Sequence, residues 1–537
     1  MSRAAVALAV LALLVAAFAA AFLVHPGIDS LYDDSVSYLL MAQWFSPWHP
    51  ASAPVAAAAA LETYPPLFPL LVSVGAYDWR IAHLVVVVAF AASVLLLGVY
   101  ARRASGSAAI GLAAAAAFAA LPGSWLNARG ILSEFPYIAL SLGALAVHER
   151  AAREPRVALR ASVALGALLA ATLLTRTIGI ALVAAVAAAQ ALHAWRARDP
   201  ARLRSAWIAP GIAVAAALAW YALRPTMASD SYAQSTRMML AGALAQPLAW
   251  ARAWAEHNGR AISDAWFSSL LIYWGEPWRP TFLLAALVGV LGLGGAIGRA
   301  LRGAADGLYV VLFLLILVFW PFPGQMYRLV FPAIPLLLVQ ALCAVRALLC
   351  AGLDQARAAR GASYAALVPI ALGLPALLFY VLPRARTPDV PVAGYRITDI
   401  AEFYRIPSRA AAEHEARREI AVLADMARVR EATPESARVM WYTPGYIALL
   451  AGRTGVPLRR PRDLSDLEAQ ARGTHADYIY VAELHPRDTL GRDGDPLYPA
   501  LVARPFTRIV WARKDGEHLG AVLLQVDKEA LASATRP

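Results

Sequence analysis

The sequence predicts an all-α polytopic membrane protein with a small α/β domain at its C-terminal end. Its 537 residues are 60% hydrophobic and 16% charged, with a mean hydropathy of +0.55. Soluble domains average about 25% charged residues. Apolar runs of about 17–25 residues, the length that crosses a bilayer, recur along the chain. After Pro383 the charge rises and the apolar runs become short, which indicates a separate domain.

About eleven apolar runs are long enough to be spans, if shorter ones are allowed within a bundle. The run from 160 to 195 is too long for one span, and Arg176 inside it marks a turn. The first run has the short basic start of a signal peptide but no Ala-x-Ala cleavage site, so we expect a retained helix. The predicted spans are 4–24, 81–100, 107–122, 131–148, 160–175, 177–195, 206–222, 281–299, 307–321, 328–349 and 363–382.

The net charge of +12 does not indicate a nucleic-acid partner. The arginines lie in short clusters between the apolar runs, and with Met1 in the cytoplasm every alternate loop obeys the positive-inside rule. Loop 25–80, segment 223–280 and the tail then face outward. The segment 223–280 is rich in Trp, which favours an interfacial or re-entrant position or a part in binding a lipid-linked substrate. This topology predicts an integral protein of the bacterial cytoplasmic membrane with an extracytoplasmic site.

Two domains are expected: a transmembrane domain over 1–382, whose outer loop 25–80 carries an acidic motif, and an extracytoplasmic α/β domain over 383–537. The tail has no Gly-rich phosphate loop and no catalytic triad, so we expect it to cover the membrane site. Its pattern predicts helices over 410–430 and near 464–472, and strands at Val439–Tyr442, Tyr478–Ala482, Ile509–Ala512 and Ala521–Val526.

The first outer loop begins with three acids, Asp29, Asp33 and Asp34. Acids at a bilayer boundary with no Lys or Arg beside them are costly unless they coordinate a ligand or transfer protons. A helix that begins near Val36 would need one Asp as its N-cap, but not two adjacent ones. The pair Asp33 and Asp34 is therefore a candidate site for proton transfer.

Further charged residues are expected at the same outer face. Arg129 and Glu134 lie in the turn from Asn127 to Tyr137 that opens the fourth span, Arg176 lies at the next outer turn, and Arg328 opens the tenth span. Charged groups at membrane depth are functional candidates. The alternative for Arg176 and Arg328 is that each pairs with an acid or extends to the membrane surface.

This set of residues favours a substrate linked to a lipid phosphate. Arginines bind phosphate through charge-assisted hydrogen bonds. A carboxylate takes the proton of an acceptor hydroxyl or amine. A divalent metal ion near a second acid is a further candidate, because it would stabilise the charge that develops on the phosphate.

Several short motifs follow one another in an informative order. The first motif consists of an acid, Asp34, followed four positions later by an aromatic residue, Tyr38, and four positions after that by a small residue, Ala42. Together these motifs resemble the GT-C superfamily of membrane glycosyltransferases that use polyprenyl-phosphate sugars, which includes the protein O-mannosyltransferases and the lipid A aminoarabinose transferases. The other motifs are Tyr64-Pro-Pro-Leu-Phe-Pro69, Ser133-Glu134-Phe-Pro-Tyr137, Thr175-Arg176-Thr-Ile-Gly179 and Tyr327-Arg328 with the prolines after it.

The chain departs from the family pattern at two places. The family often has Asp-Glu where this chain has Asp33-Asp34, so either acid is a candidate for the base. The family often has Lys before the Pro-Pro pair, where this chain has Tyr64. The phosphate contact of that Lys must then come from an arginine.

The resemblance implies a bundle of about eleven to thirteen helices, with one or two surface helices in the first outer loop. It also implies an inverting transfer of a sugar from a polyprenyl-phosphate donor to a lipid, glycan or protein acceptor. Asp34 is the first candidate for the base and Asp33 the second. Asp33 and Glu134 are candidates to bind a divalent metal ion or to orient the acceptor. Arg129, Arg176 and Arg328 would bind the donor phosphate, and Tyr38, Tyr64, Glu134 and Tyr327 would position the substrates.

Two other functions remain open from the sequence. A transporter or flippase of a lipid-linked sugar would use the same arginines without a base, although no inverted repeat is evident. A non-catalytic scaffold would have no need for acids in the first loop. Substitution of the two acids separates both alternatives from the transferase.

Overall fold

The computed structural model describes a helical bundle followed by a small mixed sheet. Asp29 and Asp33 of the predicted acidic stretch lie outside the described residues. These residues are 2–28, 34–153, 159–199, 206–223, 231–271, 273–274, 279–321, 325–378, 405–406, 409–484, 490, 495–515 and 518–533.

The bundle contains most of the helices. In chain order they are α1 (Arg3–Leu23), α2 (Asp34–Trp44), α3 (Ala53–Leu61), α4 (Leu67–Val72), α5 (Trp79–Ser105), α6 (Ala108–Ala120), α7 (Pro122–Arg129), α8 (Glu134–Arg153), α9 (Leu159–Thr175), α10 (Ile180–Arg196), α11 (Ile208–Leu223), α12 (Ser231–Ala245), α13 (Pro247–Leu270), α14 (Arg279–Leu301), α15 (Ala305–Val318), α16 (Met326–Val330), α17 (Ile334–Leu349), α18 (Gln355–Ala365) and α19 (Leu367–Ala376).

Among the described residues, five helical segments are long and apolar enough to cross a membrane, or six if the bent pair α6 and α7 forms one span. Helices α9, α11 and α15 are apolar but shorter. The chain is an integral membrane protein, and its predicted fold class of a helical membrane bundle with a small C-terminal α/β domain is confirmed. The total number of spans stays a prediction. The five segments are Arg3–Leu23, Trp79–Ser105, Thr177–Arg196, Arg279–Leu301 and Met326–Leu349.

The chain leaves the helical conformation where the sequence predicted a turn at Arg176. Helix α9 ends at Thr175, Arg176 is extended with φ −149° and ψ 132°, and a 3-10 turn at Thr177–Gly179 leads into α10. This break places the Arg176 side chain at the end of the bundle rather than in its middle.

The turn predicted from Asn127 to Tyr137 is wrong in its extent. Residues up to Arg129 belong to α7, which is bent by 58° from α6, and α8 already begins at Glu134. The bend falls at Pro122, the first residue of α7, because proline has no N–H to continue the preceding helix. Only residues 130–133 form the connection.

Three short helices, α2, α3 and α4, lie in loop 25–80, where the sequence predicted one or two. Helix α2 begins at Asp34. Helix α4 begins directly after Pro66, as the Pro-Pro pair predicted, since the residue before a proline avoids the helical conformation.

The C-terminal sheet consists of β3 (Arg438–Trp441), β4 (Thr454–Pro457), β5 (Tyr478–Ala482), β6 (Thr507–Asp515) and β7 (His518–Val526). Their order in the sheet is β4-β3-β5-β7-β6. Strands β3, β4 and β5 are parallel, and β7 pairs antiparallel with β5 and β6. The predicted strands and helices of this domain are confirmed, whereas β4 was not predicted. The helices of this domain are α20 (Arg409–Ala432), α21 (Pro444–Tyr446), α22 (Leu464–Gly473), α23 (Leu497–Val502) and α24 (Lys528–Ser533). Two further strands, β1 (Tyr273–Trp274) and β2 (Arg405–Ile406), pair with each other.

The C-terminal domain packs directly on loop 25–80. Val36 and Leu40 of α2 belong to the same apolar core as Trp441 and Tyr446. Gly445 allows this approach, because a Cβ at that position would lie 3.0 Å from Cγ1 of Val36. The domain therefore covers the helix whose first residue is Asp34.

Candidate active site

The candidate site is built around Glu134, whose side chain is fully buried at the start of α8. Its Oε1 accepts hydrogen bonds from Nη1 of Arg176 at 2.7 Å and from Nε of Arg328 at 2.9 Å. A buried carboxylate is costly unless it is paired and hydrogen-bonded. The two guanidinium groups pair with Oε1, whereas Oε2 has no hydrogen-bond partner among the described residues. These three residues form one unit.

Arg328 extends this unit to Asp34, the first residue of α2. Its Nη1 lies 2.8 Å from Oδ2 of Asp34, and the Asp34 side chain is 17% exposed, in contrast to the buried Glu134. The sequence placed these residues on one outer face, and the structure brings them into one network. The network runs from a buried acid to an accessible one.

Two hydroxyl groups are attached to the same network. Nη1 of Arg176 donates to Oγ of Ser133 at 3.1 Å, and Oγ of Ser133 lies 2.8 Å from the hydroxyl of Tyr38. Burial raises the pKa of Tyr38, so its hydroxyl stays protonated. The Tyr38 ring packs against Tyr64 and Phe68 at centroid distances of 4.9 Å and 4.8 Å. Ser133 was quoted in a motif but was not predicted as a site residue.

Arg129 lies on another side of the site, buried at the end of α7. It is near His25, whose ring packs against that of His83 at an interplanar angle of 39°, with ring centroids 4.3 Å apart. Burial and the charge of Arg129 together lower the pKa of His25 to about 4. His25 could not be selected from the sequence, since a single His at the end of an apolar run has no characteristic spacing.

Tyr327 is buried one residue before Arg328. Its hydroxyl lies 3.5 Å from Nδ2 of Asn127, whose amide also donates to the carbonyl of Gly123 at 2.9 Å. This contact ties the segment that carries Arg328 to α7. It is a structural contact between two chain segments rather than a contact with Glu134.

A cluster of aromatic rings lies behind Glu134. The ring of Phe135 packs against Phe90 at 4.5 Å and against Phe331 at 5.6 Å. Phe135 directly follows Glu134, and Phe331 lies three residues after Arg328. The rings therefore fix the backbone on which Glu134 and Arg328 are placed.

The described residues do not fit a metal ion. No group of three or more His, Cys, Asp or Glu side chains in the described part of the chain is arranged to hold one. Both Asp34 and Glu134 already face guanidinium groups, which disfavours a second cation at either carboxylate. Asp33, the other predicted metal ligand, lies outside the described residues.

Neither a family model nor a curated protein matches the chain. Solved structures do match, among them ArnT from Cupriavidus metallidurans in the apo state (16% identity, TM-score 0.47, covering 99% of both chains) and bound to undecaprenyl phosphate (15% identity, TM-score 0.48, 98% of both chains). The archaeal oligosaccharyltransferase AglB from Archaeoglobus fulgidus, in complex with an inhibitory peptide and a dolichol-phosphate, also matches at 14% identity with a TM-score of 0.48. That alignment covers 88% of this chain and 68% of AglB.

Proposed function

We propose that the protein is a membrane glycosyltransferase that moves a sugar, hexose or pentose, from a polyprenyl-phosphate donor to an extracytoplasmic lipid, glycan or protein acceptor, with inversion. The observation that carries this proposal is the network in which a partly exposed acid and a buried acid share one arginine at the end of an apolar bundle. The type of donor comes from the sequence motifs. The network supplies a base and a phosphate-binding cation within one connected set of side chains.

Asp34 is the candidate base. Of the two acids in the network it alone is accessible, with 17% of its side chain exposed against 0% for Glu134. The acceptor hydroxyl or amine attacks the anomeric carbon, its proton passes to the Asp34 carboxylate, and the bond from the sugar to the phosphate oxygen breaks. Asp33 remains the second candidate for this role.

Arg176 is the strongest of the three arginine candidates for the donor phosphate. Within the described residues its side-chain hydrogen bonds all run through Nη1, to Ser133 and Glu134. The rest of its guanidinium is left for the phosphate of the leaving lipid, which gains charge as the glycosidic bond breaks. Arg129 is a second candidate, and Tyr38, Tyr64 and Tyr327 would position the substrates.

Arg328 serves mainly to position the acids. Its Nε, Nη1 and Nη2 all face the carboxylates of Asp34 and Glu134. An arginine that is held in this way keeps the candidate base at a fixed place relative to Arg176. Glu134 accordingly orients the two arginines.

The proposed topology has the N-terminus in the cytoplasm and the site outside a bacterial cytoplasmic membrane. The transmembrane domain covers 1–382 and the extracytoplasmic domain 383–537. The packing of Gly445 against Val36 supports a cover over the site. Such a cover would contribute to the choice of acceptor, since it lies on the helix that begins with Asp34.

Mass spectrometry of envelope glycans and glycoproteins, with and without this protein, tests the proposal. We expect a sugar-bearing product that disappears in the deletion strain and does not return with Asp34→Asn or Asp33→Asn. A flippase would make no new glycosidic bond in a purified system with a polyprenyl-phosphate sugar. Full transfer activity in both Asn variants, with normal folding, would overturn the assignment of the base.

A further inference from the structure

An open groove lies at the end of the bundle opposite the candidate active site. It has a volume of about 690 Å³ and is lined by residues of α14 and α17 and by the end of α5. Arg346 lines the groove and shares the segment Met326–Leu349 with Arg328 of the candidate site, so roughly 27 Å of helix separates the two. The proposed transfer reaction uses none of the residues that line this groove.

The groove forms because two helices that touch along one face leave the neighbouring face uncovered. Helix α14 packs closely on α17 at Gly292 and Gly295, where an added Cβ would lie 2.6 Å and 2.7 Å from carbonyl oxygens of α17. At Gly294 and Gly298, on the adjacent face of α14, an added Cβ would have no neighbouring atom within 4 Å. Both of these glycines line the groove, so no side chain of α14 fills it there.

The walls beside these glycines are apolar and reach the outer surface of the bundle. Val290 on α14 is 69% exposed and Leu348 on α17 is 67% exposed, and both line the groove. Apolar side chains that remain exposed on a membrane-spanning helix face the lipid. The apolar part of the groove therefore opens towards the acyl chains of the bilayer.

The other end of the groove is positively charged. Arg299, Arg302 and Arg346 line it, and no acidic residue of the described part of the chain is among its lining residues. Arg299 is compensated from outside the groove, because its Nε lies 2.7 Å from Oδ2 of Asp306. Neither Arg302 nor Arg346 forms an ion pair with a described residue. Two positive charges are thus left for an anion.

The guanidinium of Arg346 is held at a fixed place in this wall. Its Nη1 donates to the carbonyl of Ser105, the last residue of α5, which also lines the groove. Its Nε is buried and has no hydrogen-bond partner among the described residues. Buried polar groups are normally paired, so this guanidinium indicates an acceptor that the protein itself does not supply.

The shape and the charge of the groove select the class of ligand. A phosphate accepts charge-assisted hydrogen bonds from arginine, and acyl chains fill an apolar groove. Basic pockets between membrane helices are suited to anionic lipid headgroups. A zwitterionic headgroup fits less well, because the described lining offers no carboxylate to its ammonium.

We propose that this groove binds an anionic glycerophospholipid of the phosphatidylglycerol type from the adjacent leaflet. Its phosphate contacts Arg302 and Arg346, and one acyl chain lies along Gly294 and Gly298. The bound phosphate links the end of α14 to α17 and, through the contact between Arg346 and Ser105, to α5.

The test uses the delipidated full-length protein in detergent, with native mass spectrometry to count bound lipid. The probes are dioleoyl phosphatidylglycerol, dioleoyl phosphatidylethanolamine and soluble glycerol phosphate. We expect phosphatidylglycerol to bind about tenfold more tightly than phosphatidylethanolamine, and glycerol phosphate not to compete. Equal binding of the two lipids overturns the proposal. Effective competition by glycerol phosphate would assign the groove to a soluble anion and overturn the lipid assignment.

The native cysteines report whether the lipid lies in the groove. The chain contains two cysteines, Cys343 and Cys350; both line the groove, and Cys350 is exposed. At about ten times its Kd, phosphatidylglycerol should slow the reaction of Cys350 with N-ethylmaleimide about tenfold, because few sites are then empty. Binding of phosphatidylglycerol that leaves this rate unchanged would place the lipid elsewhere and overturn the proposal.

Arg302→Gln is the main variant, because Arg302 is exposed and its loss leaves the ion pair of Arg299 with Asp306 intact. It should weaken phosphatidylglycerol binding about tenfold, and Arg302→Lys should restore part of the affinity. Arg360→Gln is the matched control, since Arg360 is exposed on α18 and does not line the groove. Its affinity for the lipid should equal that of the wild type.

Gly298→Leu tests the apolar part of the groove separately from its charge. The added side chain should fill the groove and weaken phosphatidylglycerol binding, while the Tm of the lipid-free protein stays unchanged because the new Cβ has open space. Unchanged lipid affinity in both Arg302→Gln and Gly298→Leu overturns the proposal. An equal loss of affinity in Arg360→Gln would show that only the overall charge of this end of the bundle matters, and would also overturn it.

Discussion

Arg328 joins two acids that differ in their access to solvent: its Nη1 lies 2.8 Å from Oδ2 of Asp34, and its Nη2 lies 2.9 Å from Oε1 of Glu134. The partly exposed acid begins a short helix in loop 25–80, whereas the buried acid begins a helix of the bundle. One guanidinium therefore sets the distance between them. The position of the candidate base depends on the packing of the bundle as much as on its own loop.

The first prediction concerns Asp34. Replacement by Asn removes the proton acceptor but keeps the size of the side chain, so the rate of sugar transfer should fall about 10²–10⁴-fold. The measurement is transfer from a polyprenyl-phosphate sugar by the purified protein. Asp354→Asn is a matched control, because Asp354 is the exposed N-cap of α18 and Asn caps a helix equally well. An Asp34→Asn protein with normal folding and normal transfer would contradict the prediction.

Glu134→Gln should affect stability as well as activity. The substitution leaves the buried Arg328 and the half-buried Arg176 without their shared carboxylate oxygen. Breaking a buried pair in this way costs about 3–5 kcal/mol. Thermal unfolding in detergent should show a clearly lower Tm than for the wild type. Glu256→Gln, at an exposed ion pair on α13, should leave the Tm unchanged. Equal Tm values for the two variants would show that the network adds little stability.

Arg176→Lys should act on donor binding. Lysine keeps the positive charge but loses the planar fork that binds Glu134 and phosphate oxygens at the same time. The KM for the polyprenyl-phosphate donor should rise about tenfold, with a smaller change in the KM for the acceptor. A change confined to the acceptor would place the phosphate at another arginine, and Arg129→Lys is then the variant to compare.

Gly445→Val should disturb the contact between the C-terminal domain and α2. The new Cβ would lie 3.0 Å from Cγ1 of Val36, so one of the two elements must move. Overpacking of this kind costs about 1–3 kcal/mol. Transfer activity should fall, because the helix that moves begins with Asp34. Val36→Ala should restore part of the activity, whereas Gly473→Val, where no atom lies within 4 Å of the added Cβ, should behave like the wild type.

The stability of the protein should depend on His25 at mildly acidic pH. The folded pKa of His25 is about 4, below the ordinary value of 6.5. Between these two values the unfolded chain binds a proton that the folded protein does not, so stability falls as the pH drops from 6.5 to 4. His25→Gln should reduce this slope in a plot of Tm against pH. The same slope in both proteins would exclude His25 as its cause.

Features that depend on local pattern were predicted well from the sequence. The helix break at Arg176, the start of α4 after Pro66 and the strands β3, β5, β6 and β7 all follow from charge, proline or alternating apolar residues within a short window. Strand β4 was missed because Thr454-Gly-Val-Pro457 contains Gly and Pro, which are rare in strands, and its conformation comes from pairing with β3.

Features that depend on distant partners could not be predicted in the same way. The sequence indicated that charged residues share one outer face, but not that Arg328 faces two acids while Arg176 faces one. Arg176 and Arg328 reach Glu134 from positions 42 and 194 residues further along the chain. These are properties of the packed bundle, and no local pattern encodes them.

The shared oxygen of Glu134 has a consequence for how the protein is made. Arg176 and Arg328 reach this one atom from positions 42 and 194 residues further along the chain. During synthesis Glu134 is inserted before both of its partners. Arg328, the second partner, follows only with the later helices. A chain that stops or misinserts before Arg328 retains an incompletely paired acid at membrane depth. The full set of ion pairs at Glu134 therefore forms only after the segment that carries Arg328 has joined the bundle.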